Sequence, residues 1–335
     1  MEKILSIIIP TYNMERYLRY CLDSLLIQNN LEKIEVLVIN DGSKDSSSEI
    51  AHSYESRYPA VFRVLDKENG NYGSCINRGL SIAVGKYVKV LDADDSFNTE
   101  NFERFVTYLM AVDADLVLSD FVVVDEDRKE ICHKTFGFPS CQLLNMSDVC
   151  VTDSFKDMQM HAVTYRLENL LEMQYRQTEG ISYTDQQWIC MPMSMVKRVC
   201  YFDQPVYRYL VGRPGQTMDP SVTRKQMSHF IKCSIGMVES YKSCECNLED
   251  FVDEYLKHRI VTQLKSIYVT GLTELRPCET NKYLVPLDKY LKSHATDIYQ
   301  LIQKTNKRIN YIRIWRFSPI LNTYVIRFVI LLLKV

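Results

Sequence analysis

The first 125 residues alternate between short apolar runs and stretches of helical spacing, and each apolar run ends in polar residues. Leu5 to Ile9, closed by Pro10, reads as a buried strand, as do Ile34 to Ile39, Val61 to Leu65, Tyr87 to Leu91 and Leu116 to Val124. Between the first two, Met14, Tyr17, Leu18, Cys21, Leu22, Leu25 and Leu26 recur at helical spacing, with Asn13 placed to cap the helix. Ser46 and Glu49 form a capping-box pattern for the next helix. Ser74 to Val84 and Phe102 to Val112 also have helical spacing, and Gly85 stops the first of these. Alternation of this kind predicts an α/β fold, a parallel sheet with helices on both faces. Four successive strands then deliver polar groups to one edge: Thr11-Tyr12-Asn13, Asn40-Asp41-Gly42, Asp66-Lys67 and Asp92 to Asp95. Ligands of open α/β sheets bind beyond the carboxyl ends of the strands, so that edge is the expected site.

The chemistry of the edge follows from residue types. Asp92-Ala93-Asp94-Asp95 places three carboxylates in four residues after a buried strand. They repel one another unless a cation intervenes, and oxygen-rich sites suit Mg²⁺ or Mn²⁺ with phosphate oxygens and water. A helix cap would need only one Asp. Asp41 can accept a proton from a ring N–H such as N3 of uracil, although Asp-Gly is also a common turn. Asn69-Gly70-Asn71-Tyr72-Gly73 is a glycine turn entering a helix, where backbone N–H groups can meet an anion. No G-x-G-x-x-G follows the first strand, which argues against a dinucleotide-dependent dehydrogenase.

Ser6-Ile7-Ile8-Ile9-Pro10-Thr11-Tyr12-Asn13, Val36-Leu37-Val38-Ile39-Asn40-Asp41-Gly42-Ser43 and Leu91-Asp92-Ala93-Asp94-Asp95 stand in the order and spacing of family 2 glycosyltransferases, which the chain closely resembles. Asn77-Arg78-Gly79-Leu80 after the glycine turn fits that family too. The resemblance implies a GT-A fold, a Rossmann-like and mostly parallel sheet flanked by helices. It also implies transfer of a sugar from a nucleotide diphosphate donor, with inversion, assisted by a divalent metal. Carried over, Pro10, Thr11, Tyr12 and Asn13 line the nucleoside pocket and Asp41 reads the base. Asn69, Gly73 and Asn77 belong to the donor site. Asp92 and Asp94, flanking Ala93, contact ribose and metal, and Asp95 shares the metal or orients the donor sugar. Which of the three carboxylates ligates directly stays open. Glu179 to Trp188 is similar to the segment that carries the family's catalytic base, which makes Asp185 the base; the acidic residue usual before it is replaced by Thr184. Tyr201 to Tyr209 and the following Gly212 to Thr217 resemble the acceptor-side loop, with Arg213 and Gln216 as contacts for diphosphate or acceptor. His161 is a further candidate for the acceptor cleft.

Organisation and composition bound the rest. After about Ser221 helical patterns take over, as at Phe251 to Ile267 and Leu284 to Leu291, giving a catalytic domain over residues 1–220 and a helical region over 221–335. A net charge of −2 offers no polycationic footprint for nucleic acid. The eleven cysteines are odd in number and lack zinc spacing, as expected of reduced thiols. A core strand begins almost at the N-terminus, leaving no room for a signal peptide, so a cytoplasmic location is expected. From Ile298 onward there are seven Lys or Arg and no acidic residue, interleaved with aromatic and aliphatic side chains. The apolar run is short of the ~20 residues a spanning helix needs, so the segment suits the surface of an anionic membrane, at its inner face. That fits a glycan or lipid-linked acceptor and cell-surface polysaccharide synthesis. A sugar nucleotidyltransferase would carry a glycine-rich basic signature near the first strand, which is missing; a glycosyltransferase-like scaffold without turnover is the other alternative, suggested by Thr184.

Overall fold

The computed structural model describes residues 2–213, 225–303 and 310–333, and the chain divides into two compact units, Met1–Gln216 and Thr217–Val335. In the first unit, strands β1 (Leu5–Thr11), β2 (Ile34–Asn40), β3 (Phe62–Asp66) and β4 (Tyr87–Val90) lie in the order β3-β2-β1-β4, all parallel. Ile7, Ile8, Ile9, Val36, Leu37 and Val38 are all fully buried, as expected of strands covered on both faces. Helices α1 (Leu18–Asp23), α2 (Ser47–Arg57) and α3 (Asn71–Leu80) connect them.

Beyond β4 the sheet departs from simple alternation. β5 (Ser96–Phe97), α4 (Thr99–Ala111) and β6 (Leu116–Val124) follow, then β7 (Glu130–Lys134) and β8 (Leu143–Asn145). After the short helices α5 (Met146–Val149) and α6 (Asp153–Lys156) comes β9 (Val163–Arg166), which inserts antiparallel between β4 and β6. Helices α7 (Leu167–Glu172) and α8 (Asp185–Trp188) precede β10 (Arg198–Leu210), which is parallel to β6 and antiparallel to β5. The sheet is therefore mostly parallel rather than wholly so. Tyr201 to Tyr209, expected as a loop, lies inside a strand of 13 residues whose register slips at Pro205. Phe136 to Pro139 is irregular.

Two caps are also corrected. Asn13 has φ +54° and does not cap α1, which starts four residues later than its apolar spacing suggests. Its Oδ1 instead accepts the backbone N–H of Lys44 at 2.7 Å, tying the β1 loop to the β2 loop. Ser46 makes no side-chain cap; Asp45 accepts from the N–H of Ser47 at 3.0 Å, and Glu15 from that of Ser46 at 3.0 Å.

Among the described residues the second unit is helical: α9 (Met227–Cys244), α10 (Asp250–Thr273), α11 (Pro277–His294), α12 (Thr296–Leu301), α13 (Asn310–Phe317) and α14 (Pro319–Leu333). Tyr255, Leu264, Tyr268, Leu284 and Leu291 are buried in its core. The side chain of Arg316 is only 5% exposed, donating from Nε to Asp288 Oδ1 at 2.6 Å with its guanidinium 3.7 Å from the centre of the Tyr299 ring.

Candidate active site

The parallel register brings the first three strand ends level: Thr11 pairs with Asn40, and Asn40 with Asp66. Pro10 sits opposite Ile39, Thr11 is buried, and Tyr12 projects outward, 46% exposed. Asp41 is buried behind them. Its Oδ1 accepts from Lys67 Nζ at 2.5 Å and from the N–H of Gly70 at 2.9 Å, while Asn69 Nδ2 donates to the Asp41 carbonyl at 3.0 Å. The glycine turn thus gives its first free N–H to a carboxylate of the protein itself. Lys67, which also donates to Ser74 Oγ at 2.9 Å, was placed by the sequence at the strand edge but given no role there.

Two residues after Gly70, Tyr72 reaches the other end of the cleft and donates to Asp92 Oδ1 at 2.7 Å. The start of α3 therefore links Asp41 to the acidic cluster. After β4 the chain turns tightly, the N–H of Asp95 donating to the carbonyl of Asp92 at 2.9 Å. This folds Asp92, Asp94 and Asp95 together, with one carboxylate oxygen of each within 4.8 Å of the others, and buries Ala93 beneath them. The three are not equivalent. Asp95 is committed to β10: Tyr207 donates its hydroxyl to Oδ2 at 2.6 Å and Leu210 its N–H to Oδ1 at 2.7 Å. Asp94 Oδ2 accepts from Arg213 Nε, and Arg128 Nη2 donates to the Asp94 carbonyl at 3.2 Å. Among the described residues, Asp92 and Asp94 each keep an oxygen without a protein donor.

Electrostatics agree with a site that wants positive charge. Burial, then the charge of Asp94, pushes the Asp92 carboxyl up to about 7, and burial with both neighbours raises Asp95 well above the usual carboxylate range. Three clustered carboxylates, Asp94 and Asp95 buried and Asp92 partly so, two of them with open oxygens, fit a divalent cation.

The segment that carries Asp185 packs across α3. Asn77 Nδ2 donates to the carbonyl of Gln177 at 2.9 Å and to Glu179 Oε1 at 2.8 Å, and its Oδ1 accepts the N–H of Gln177 at 2.8 Å. Gly73 lies under Thr178, where any Cβ would collide with the Thr178 carbonyl oxygen. Thr184 is fully buried and donates to Gln177 Oε1 at 2.6 Å, so a neutral hydrogen bond occupies the position of the missing acid. Asp185 opens α8, accepts from Gln186 Nε2 at 3.0 Å, and stands near enough to Asp92 for its charge to raise that carboxyl.

His161 precedes β9, buried, stacked on Tyr209 with ring centres 4.2 Å apart and edge-on to Tyr207 at 4.7 Å. Burial, then the charge of Lys89, lowers it to about 3, so the ring is neutral. Tyr209 feels all four carboxylates, Asp95, Asp92, Asp94 and Asp185, and its hydroxyl rises to about 12, chiefly by burial. Tyr72, Tyr207 and Tyr209 were missed in the sequence, although Tyr207 and Tyr209 alternate as strand residues do. Gln216 lies outside the described residues.

A buried carboxylate, Asp41, at one end of the strand edge and the acidic cluster of Asp92, Asp94 and Asp95 at the other are the arrangement expected of a glycosyltransferase of the GT-A type. Residues 6–169 match glycosyl transferase family 2. The chain is 30% identical over 236 residues to the uncharacterized glycosyltransferase YibD of Escherichia coli (strain K12), covering 68% of each protein. It is 28% identical over 223 residues to the uncharacterized glycosyltransferase MG025 of Mycoplasma genitalium, covering 65% of this chain and 71% of that one. The chain belongs to glycosyl transferase family 2. Its fold is shared with residues 1–349 of S. aureus TarS, crystallised with UDP-GlcNAc, at a TM-score of 0.71 and 16% identity over 96% of this chain and 90% of that one.

Proposed function

We propose that this glycosyltransferase moves a sugar, with inversion, from a UDP-sugar to a hydroxyl of a glycan or lipid-linked glycan in cell-surface polysaccharide synthesis, at the cytoplasmic face of an anionic membrane. The observation that carries the reading is that Asp185, at a helix start, lies near enough to Asp92, Tyr72 and Tyr209 for its charge to act on all three, close to the cluster where a donor diphosphate would belong. Inversion is one in-line displacement at C1, and Asp185 takes the proton from the attacking hydroxyl. Asp92 and Asp94 would hold Mn²⁺ or Mg²⁺, which neutralises charge on the departing diphosphate. Arg213, already on Asp94, supplies a second positive charge to the same leaving group.

Uridine is favoured by Asp41. Oδ1 is taken up by Lys67 and Gly70, so the carboxylate offers one oxygen to a base. The single N3–H of uracil suits that, whereas guanine presents two adjacent donors and gains from a bidentate carboxylate. The UDP-GlcNAc complex of TarS supports the same choice. The test is release of UDP from a panel of UDP-sugars by the purified chain with Mn²⁺, compared with GDP-sugars. Turnover of GDP-sugars alone would refute the uridine assignment, and no turnover of any donor across an acceptor panel would refute the enzyme.

A further inference from the structure

Among the described residues, the last helices of the second unit carry an exposed apolar stripe. In α14, Ile320, Leu321, Tyr324, Val325 and Phe328 recur at intervals of three and four and are 46–68% exposed, and Phe317 before them is 93% exposed. The opposite face is already docked. Thr323 and Ile326 are buried, Trp315 Nε1 donates to Thr323 Oγ1 at 2.9 Å, and Thr323 donates to Asn281 Oδ1 of α11 at 2.8 Å. One side of the helix is therefore packed, and the other, apolar, is bare. A contiguous exposed patch of this kind marks an interaction surface. Among the described residues no helix is long and apolar enough to cross a membrane.

We infer that this stripe lies in the interfacial plane of an anionic bilayer, with Phe317, Leu321 and Phe328 entering the acyl boundary. The inference deepens the membrane part of the proposed function and names its contact. Charge selects the occupant. From Ile298 to the end the sequence has seven Lys or Arg and no Asp or Glu. Arg316 is spent on Asp288, while Arg313 is exposed on α13. In a two-fold pairing of chains the same surface meets itself, which would set one cationic segment against another. Anionic headgroups instead attract such a segment, and apolar side chains with flanking cations are what hold an in-plane helix.

The full chain is sedimented with vesicles of phosphatidylcholine alone or mixed with phosphatidylglycerol. The expected result is binding to the mixed vesicles, weakened by salt, and a drop in partitioning of about tenfold or more in Leu321→Ser/Phe328→Ser. Ile131→Ser, at an exposed apolar position of β7, serves as control and keeps wild-type binding. Because the substituted side chains are exposed, Mn²⁺-dependent UDP binding by the double variant stays at the wild-type value; its loss in the wild type would count against the donor reading and leave the vesicle result interpretable. Equal partitioning of wild type and double variant, no preference for anionic vesicles, or self-association abolished by the double variant without vesicle binding would each overturn the inference.

Discussion

The side-chain amide of Asn77 clasps the backbone of Gln177, donating to its carbonyl at 2.9 Å and accepting its N–H at 2.8 Å. One residue thereby copies a rung of β-ladder between α3 and the segment that leads to Asp185. Hydrogen bonds of this type contribute about 1 kcal/mol each. Asn77→Ala is expected to lower stability by about 2 kcal/mol and turnover by about tenfold, while UDP affinity changes less than threefold. A donor affinity that fell in step with kcat would place Asn77 in the nucleotide pocket itself.

Asp185→Asn removes the proposed proton acceptor and keeps its shape. Loss of a placed general base costs roughly 10²–10⁴-fold in rate. Turnover is expected to fall by that factor, with UDP–Mn²⁺ binding by calorimetry unchanged. Wild-type turnover in the variant would remove Asp185 from the base role.

The strand edge was legible because β1, β2, β3 and β4 are local and parallel, and β1, β2 and β4 are buried on both faces and announce themselves as apolar runs, while the outer strand β3 is only partly buried. What the sequence hid depends on distant partners. β9 is four residues long, and its position between β4 and β6 comes from pairing Val88 with Tyr165 and Leu116 with the same tyrosine. In β10 the run is broken by Asp203-Gln204-Pro205, which the sheet absorbs as a register slip. The caps failed for a similar reason: the oxygen of Asn13 was claimed by Lys44, 31 residues away. At the site, the carboxylates could be read from spacing, but the tyrosines that divide their labour come from α3 and β10. Tyr72 bonds Asp92 and Tyr207 bonds Asp95 across separations of 20 and 112 residues.

That division makes Asp94 and Asp95 separable. Even partners outside a metal's own ligands cost 10–100-fold in affinity when lost, so Asp94→Asn is expected to weaken Mn²⁺-dependent UDP binding by at least about tenfold with little change in melting temperature. Asp95→Asn acts on the fold instead. Its new NH₂ group would face a donor, either Tyr207 or Leu210, leaving a buried group unpaired at about 1–3 kcal/mol. Calorimetric titration and thermal melts of both variants check this, and a swapped pattern would make Asp95 the principal ligand.

Lys89 gives the molecule a pH signature of its own. The β4–β9 ladder stops at Val88, and the strands part there. Lys89 fills the gap, fully buried, with Nζ donating to the carbonyls of His161 at 2.8 Å and Val163 at 3.2 Å. Burial lowers it from the ordinary 10.5 to about 7. Between those values the unfolded chain binds a proton that the folded protein has released, so stability rises with pH across that window, by up to about 1.4 kcal/mol per unit. Below about pH 7 both states hold the proton, the slope vanishes, and the full cost of burying the cation remains. Lys89→Met lacks this slope. The difference in urea-unfolding free energy between wild type and variant, followed from pH 7 to 9, cancels the tyrosines and cysteines that titrate in both; it is expected to grow steadily in favour of the wild type. Parallel curves would show that the amine keeps its proton throughout, held by the two carbonyls and by the Tyr207 ring, whose centre lies 5.9 Å away.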